Sequence, residues 1–145
     1  MDKTIIRNHN SRVKPEDTVF FLGDFCFRNT IGGKEGEGAL EKAQYYLNQL
    51  NGNFIFIKGN HDNNNSLKTI IKNLVIEFGG EQINLVHKPD DIDTRFRINF
   101  VGHIHEKWKF KKSQGVSMIN VGVDVWDFMP VRFNEIMKEY NKWRK

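Results

Sequence analysis

The residues able to do chemistry in this chain fall at four separated places: Asp24, the run Asn60-His61-Asp62, His87, and the pair His103 and His105. Each follows closely on a short, largely apolar run: Thr18 to Leu22, Phe54 to Ile57, Gln82 to Val86 and Ile98 to Val101. Such runs read as strands, and in an open α/β sheet the carboxyl ends of the strands share one rim, where ligands bind. Carboxylate, carboxamide and imidazole donors from four distant segments would converge there. That donor set suits Mn²⁺, Fe or Zn²⁺ and ill suits a thiolate site, since Cys26 is the sole cysteine. A carboxylate can bridge two ions. Two ions about 3.5–4 Å apart clamp a phosphate, lower the pKa of a bridging water and stabilise the charge that develops in an in-line displacement. Phosphoester hydrolysis fits this set.

The elements that must position these groups follow from the pattern of apolar residues. Lys3 to Val13 predicts a short helix weakened by Asn8, Asn10 and Ser11, and Lys14-Pro15-Glu16-Asp17 predicts a turn. Thr18 to Leu22 is β-branched or apolar without alternation, as in a strand covered on both faces. A glycine-rich loop at Gly32, Gly33, Gly36 and Gly38 precedes a helix over Ala39 to Leu50, with Leu40, Ala43, Leu47 and Leu50 on one stripe. Strand, helix, strand implies a parallel pair. Ser66 is expected to cap a helix through about Asn73, and Val75 to Phe78 with Gln82 to Val86 predicts a hairpin about Gly79-Gly80. Asp90, Asp91 and Asp93 mark a loop before the strand Ile98 to Val101. Trp108 to Phe110, Val116 to Val121 and Val123 to Trp126 are expected to be later strands. A last helix over Val131 to Trp143 aligns Phe133, Ile136, Met137 and Tyr140. No repeat or Pro/Ser-rich linker divides the chain, so residues 1–145 read as one domain.

Gly23-Asp24, Gly59-Asn60-His61-Asp62, His87 and Gly102-His103-Ile104-His105 together resemble the ordered motifs of calcineurin-like metallophosphoesterases. Pro15 to Val19 and Asn120 to Pro130 resemble a bacterial and phage branch of that family. Taken singly, each residue has an ordinary structural role: Asp24 caps a turn, Asn60 forms one, His87 hydrogen-bonds at a strand end. Four motifs in the family's order do not reduce to such roles. The resemblance implies a four-layer α-β-β-α sandwich. It makes Asp24 the bridging ligand, with Asn60, His87 and His103 completing one metal site and His105 holding the other ion. It makes His61 the general acid that protonates the leaving alkoxide, after attack by metal-bound hydroxide on a phosphomonoester or phosphodiester. Arg28 is a candidate phosphate contact through its planar fork, and Asp62 a candidate support for His61, because the second Asp that orients this His in many relatives is absent from Gly23-Asp24-Phe25-Cys26-Phe27-Arg28.

One family motif is missing. An Asp-x-His run should end an earlier strand and complete the second metal site, yet none precedes Asp24. Asp2 and His9 cannot replace it, because seven helical residues separate them by roughly 10.5 Å, against ligand bonds of about 2.0–2.2 Å. One strong and one crippled metal site is the expectation, with impaired activity. A late-starting chain, a shortened protein and a strand from another chain each account for the gap. The cost of exposing main-chain donors and acceptors on a fold without its first strand favours the late start.

Composition adds bounds. With 145 residues, 39% of them hydrophobic, the chain can bury an ordinary core, which excludes disorder. No apolar run approaches the roughly 20 residues of a membrane span, and one cysteine without a signal pattern leaves a cytoplasmic protein as the expectation. A net charge of +4 with scattered basic residues does not identify a nucleic-acid binder. Lys107, Lys109, Lys111 and Lys112 nevertheless interleave with Trp108 and Phe110, as on a strand with one apolar and one basic face. The expected partner is a phosphoester substrate, with nucleotides or nucleic acid within range. The competing reading is a noncatalytic metal-binding interaction module on the same fold.

Overall fold

The computed structural model describes residues 3–22, 46–59 and 69–145. The expectations placed on Asp24, Cys26, Arg28, Asn60, His61 and Asp62 lie outside the described residues, as do the glycine-rich loop and most of the helix expected over Ala39 to Leu50, of which Tyr46 and Leu47 are helical. The fold is mixed α/β and divides into two units, Met1–Lys72 and Asn73–Lys145.

In the first unit, helix α1 (Lys3–Arg12) is held by the residues that weaken it in isolation. Asn10 Nδ2 donates to the Gln49 carbonyl (2.7 Å) while the Asn51 amide donates to Asn10 Oδ1 (2.8 Å), and Asn51 Nδ2 reaches the Val13 carbonyl (3.0 Å). His9 is buried, with Nε2 2.7 Å from the Asn51 carbonyl and its ring stacked on Phe54 at 5.5 Å. It is a packing residue. Strands β1 (Thr18–Phe21) and β2 (Asn53–Phe56) pair in parallel, Thr18 beside Asn53 and Phe21 beside Phe56, and the Ile57 amide extends the ladder to the Phe21 carbonyl at 2.8 Å. Both carboxyl ends therefore leave at one edge. Gly52, before β2, has φ +111°, and a Cβ there would lie 2.9 Å from Val13 and 3.0 Å from Val19. Tyr46 is buried among Ile6, Phe21, Leu47, Leu50 and Phe56. β1 departs from the expected two-sided cover: Val19 and Phe21 are half-buried while Thr18 and Phe20 are exposed.

The second unit is a five-stranded mixed sheet of β3 (Asn73–Phe78), β4 (Glu81–Val86), β5 (Ile98–Val101), β6 (Phe110–Ser113) and β7 (Val116–Asn120), in the order β3-β4-β5-β7-β6. The central three run parallel, and β3 and β6 are antiparallel to their neighbours. Ile83, Leu85, Ile98, Val101 and Ile119 fill the sheet core. The expected hairpin turns at Gly79 and Gly80, both left-handed as a two-residue turn between twisted strands requires. A second such hairpin, unforeseen, joins β6 to β7 through Gln114 and Gly115. Helix α2 (Phe133–Trp143) buries Ile136 and Tyr140, and the Tyr140 hydroxyl lies 2.8 Å from Ser117 Oγ on β7.

Three local expectations need correction. The helix expected through Asn73 does not extend there: residues 69–72 are irregular and Asn73 opens β3, where it pairs with Val86. The strand expected at Trp108 begins at Phe110, because Trp108 belongs to a loop tied to Asn120. Val123 to Trp126 is a 3-10 turn over Val123–Val125, since the Trp126 amide bonds back to Val123 and its indole donates to the Asn120 carbonyl at 2.7 Å. No described helix is long and apolar enough to cross a membrane.

Candidate metal centre

β4, β5 and β7 run in the same direction, so their carboxyl ends share one edge, and the described chemical residues of this unit lie there. His87 follows β4 directly. The Gly102 amide donates to the His87 carbonyl at 3.0 Å, extending the β4–β5 ladder past the last strand residue and bringing His87 level with the start of the Gly102-His103 turn. The His87 and His103 rings meet edge to face, with centroids 4.9 Å apart at 70°. His87 is buried and His103 exposed. The pair thus joins two adjacent strand ends through imidazole groups.

His105 is placed differently from the expectation. On an extended backbone, residues two apart point to one side, but His103 and His105 have φ of +72° and +52°. The chain is left-handed at both, with Ile104 buried between them, so the loop is a compact turn. Each non-glycine residue in this region costs on the order of 1–3 kcal/mol, which the surroundings must offset. Asn120, at the end of β7 and almost fully buried, supplies the counterpart. Its Nδ2 donates to the carbonyls of His105 (2.7 Å) and Trp108 (3.0 Å), and its Oδ1 accepts from the Gly122 amide (2.9 Å). One carboxamide therefore ties the histidine loop to the turn that carries Asp124.

Across that tie, His105 Nδ1 lies 3.2 Å from Asp124 Oδ2. The imidazole and the carboxylate thus stand side by side. Glu106 completes a group: donor atoms of His105, Glu106 and Asp124 all lie within 4.8 Å of one another. One imidazole and two carboxylates fit a divalent ion of the Mn²⁺, Fe or Zn²⁺ kind. Asp124 and Glu106 were not singled out from the sequence. The available signal was Gly122 two residues before Asp124, which favours a turn over the alternating strand assigned there.

No family model matches the chain. A protein of Methanocaldococcus jannaschii, the uncharacterized MJ1445, is 34% identical over 151 aligned positions, covering 98% of this chain and 76% of the relative. The chain belongs to the same family as that archaeal protein. The crystal structure of AQ665 from Aquifex aeolicus, a protein of unknown function, shares the α/β fold: its TM-score is 0.65 at 24% identity, over 94% of this chain and 83% of that one. Vps29 from Entamoeba histolytica in complex with zinc is also similar, with a TM-score of 0.46 at 22% identity, over 82% of this chain and 62% of that one.

Proposed function

We propose that the chain is a metal-dependent phosphoesterase of the calcineurin-like metallophosphoesterase kind. The reading is carried by the meeting of His87 and His103 from the ends of two adjacent parallel strands, rings 4.9 Å apart, on the edge that also carries His105. Histidines 16 residues apart in sequence are drawn together here by sheet pairing. In this reading His87 and His103, with Asp24 and Asn60, hold one divalent ion, and His105 with Asp124 and Glu106 contributes to a second position. Bound there, such ions would neutralise a phosphate's charge and acidify a coordinated water. His61 protonates the leaving oxygen, Asp62 supports it and Arg28 binds a phosphate oxygen.

Calorimetric titration with Mn²⁺ and with Zn²⁺, alongside hydrolysis of bis(p-nitrophenyl) phosphate, tests the proposal. His103→Ala should weaken binding of one ion at least tenfold, on the order found when metal-site partners are removed. His61→Asn should keep metal binding and lower kcat by about a hundredfold or more, the contribution of a general acid. Metal affinity unchanged in both His87→Ala and His103→Ala would refute the site. Tight metal binding with no hydrolysis of mono- or diesters would replace the enzyme with a noncatalytic metal-binding module.

A further inference from the structure

The basic residues are less scattered in space than along the chain. Two segments, residues 106–113 and 135–145, hold eight Lys and Arg against three Glu, a net +5, whereas the whole chain carries +4. The remaining residues together are slightly acidic. The two segments are neighbours in the second unit: Phe110, the first residue of β6, lines one side of a groove of about 660 Å³, and α2 forms the other. Phe110 lines it from the strand, and Lys138, Lys142 and Trp143 from the helix. The groove lies at the edge of the sheet, where, among the described residues, β6 pairs only with β7.

Its acids are engaged within the fold. Glu135 accepts the Arg132 amide at the helix start (3.0 Å), and Glu139 binds Lys109 Nζ (3.0 Å), itself 4.1 Å from the Trp126 ring centre. Among the described residues, Lys107, Lys111, Lys112, Lys138 and Lys142 have no carboxylate partner, and all five are exposed. Aromatic faces lie among these cations. Phe110 and Trp143 stack at 5.5 Å and 24°, Trp143 is 39% exposed, and Lys111 covers Trp108 at 5.9 Å. A small anion would need only the charge. A carboxylate-rich peptide would gain nothing from ring faces that stack. Trp143, which also stacks on Tyr140 at 6.1 Å, keeps 39% of its surface open beside unpaired cations, a match for an unpaired base on a phosphate chain.

We infer that the groove between β6 and α2 binds single-stranded nucleic acid, its phosphates beside Lys138 and Lys142 of the helix wall and Lys112, which shares the Phe110 face of β6, and a base stacked on Trp143. The surface is separate from the proposed hydrolysis and stands without it. The probe is a fluorescein-labelled 20-nucleotide oligothymidylate, measured by anisotropy in EDTA so that metal binding plays no part. Binding should fall with salt, log K against log [salt] sloping about −2 for three phosphate contacts on a single strand. Lys138→Glu with Lys142→Glu should weaken binding tenfold or more and flatten that slope by about two-thirds. Trp143→Ala should weaken it about fivefold or more, and Trp143→Phe should retain most of it.

No binding at 50 mM salt would overturn the inference, as would affinity unchanged by the double charge reversal. Equal competition by heparin together with an inert Trp143→Ala would reduce the surface to a polyanion patch and overturn the base-stacking assignment. Stronger competition by polyglutamate than by oligothymidylate would assign the groove to an acidic protein partner and overturn it too. Lys138 and Lys142 are exposed on one side of α2, so their reversal tests the groove with the fold intact.

Discussion

Asn120 joins the two halves of the candidate site, and removing its side chain should show how much the histidine loop depends on it. Asn120→Ala deletes three hydrogen bonds from an almost fully buried carboxamide, those to the His105 and Trp108 carbonyls and from the Gly122 amide. At about 1 kcal/mol net for each, the loss is about 3 kcal/mol, and more where the orphaned groups stay dry. With an unfolding entropy of roughly 2.1 cal/mol/K per residue, a chain of this length loses about 10 °C in Tm. Asn120→Asp sharpens the test. The carboxylate still accepts from Gly122 but turns an oxygen toward two carbonyl oxygens where the amide offered hydrogens. At pH 7 it should be less stable than the alanine variant. Its folded-state pKa is raised above the unfolded value, so its deficit should shrink as pH falls through that raised value, whereas the alanine deficit should not. Thermal and urea unfolding at pH 7 and pH 5 read both effects, and zinc titration reads the loosened His105. The reasoning fails if Asn120→Ala costs under about 1 kcal/mol, or if the aspartate variant is the more stable of the two at pH 7.

Two further outcomes are expected. The Arg95 guanidinium, bonded to Asp93 through Nη2 at 2.7 Å and Nε at 3.1 Å, holds the Asp93 carboxyl below its ordinary 3.8. A lowered carboxylate stabilises the fold above its unfolded value, and that contribution is lost as pH falls through the folded one. A side-chain carboxyl NMR titration should therefore place the Asp93 midpoint below 3.8 and move it upward in Arg95→Ala; an unmoved midpoint would contradict the pairing. For the buried Ser117–Tyr140 bond of 2.8 Å, Ser117→Ala and Tyr140→Phe should each cost about 1 kcal/mol, and the double variant clearly less than their sum in denaturant unfolding.

Some of this protein was local and could be read from the chain. Short apolar runs named the strands that carry His87 and His103, paired glycines named the β3–β4 turn, and the three- and four-residue spacing of Phe133, Ile136 and Tyr140 named α2. Such signals depend on residues that are neighbours along the backbone. The types of the candidate ligands were also legible, because imidazole, carboxamide and carboxylate side chains have fixed donor chemistry wherever they stand. What the chain could not disclose depends on approach in three dimensions. His103 and His105 read as one extended pair, yet two left-handed residues and the hydrogen bonds of Asn120, 15 residues beyond His105, fold them into a turn. Asp124 read as a strand residue until that same carboxamide anchored Gly122 and set it beside His105. The net charge of +4 looked diffuse because segments 106–113 and 135–145 lie far apart in sequence. Only the packing of α2 beside Phe110 and Lys109 makes the two segments neighbours, since a charge's surroundings are set by distance through space and not by position along the chain.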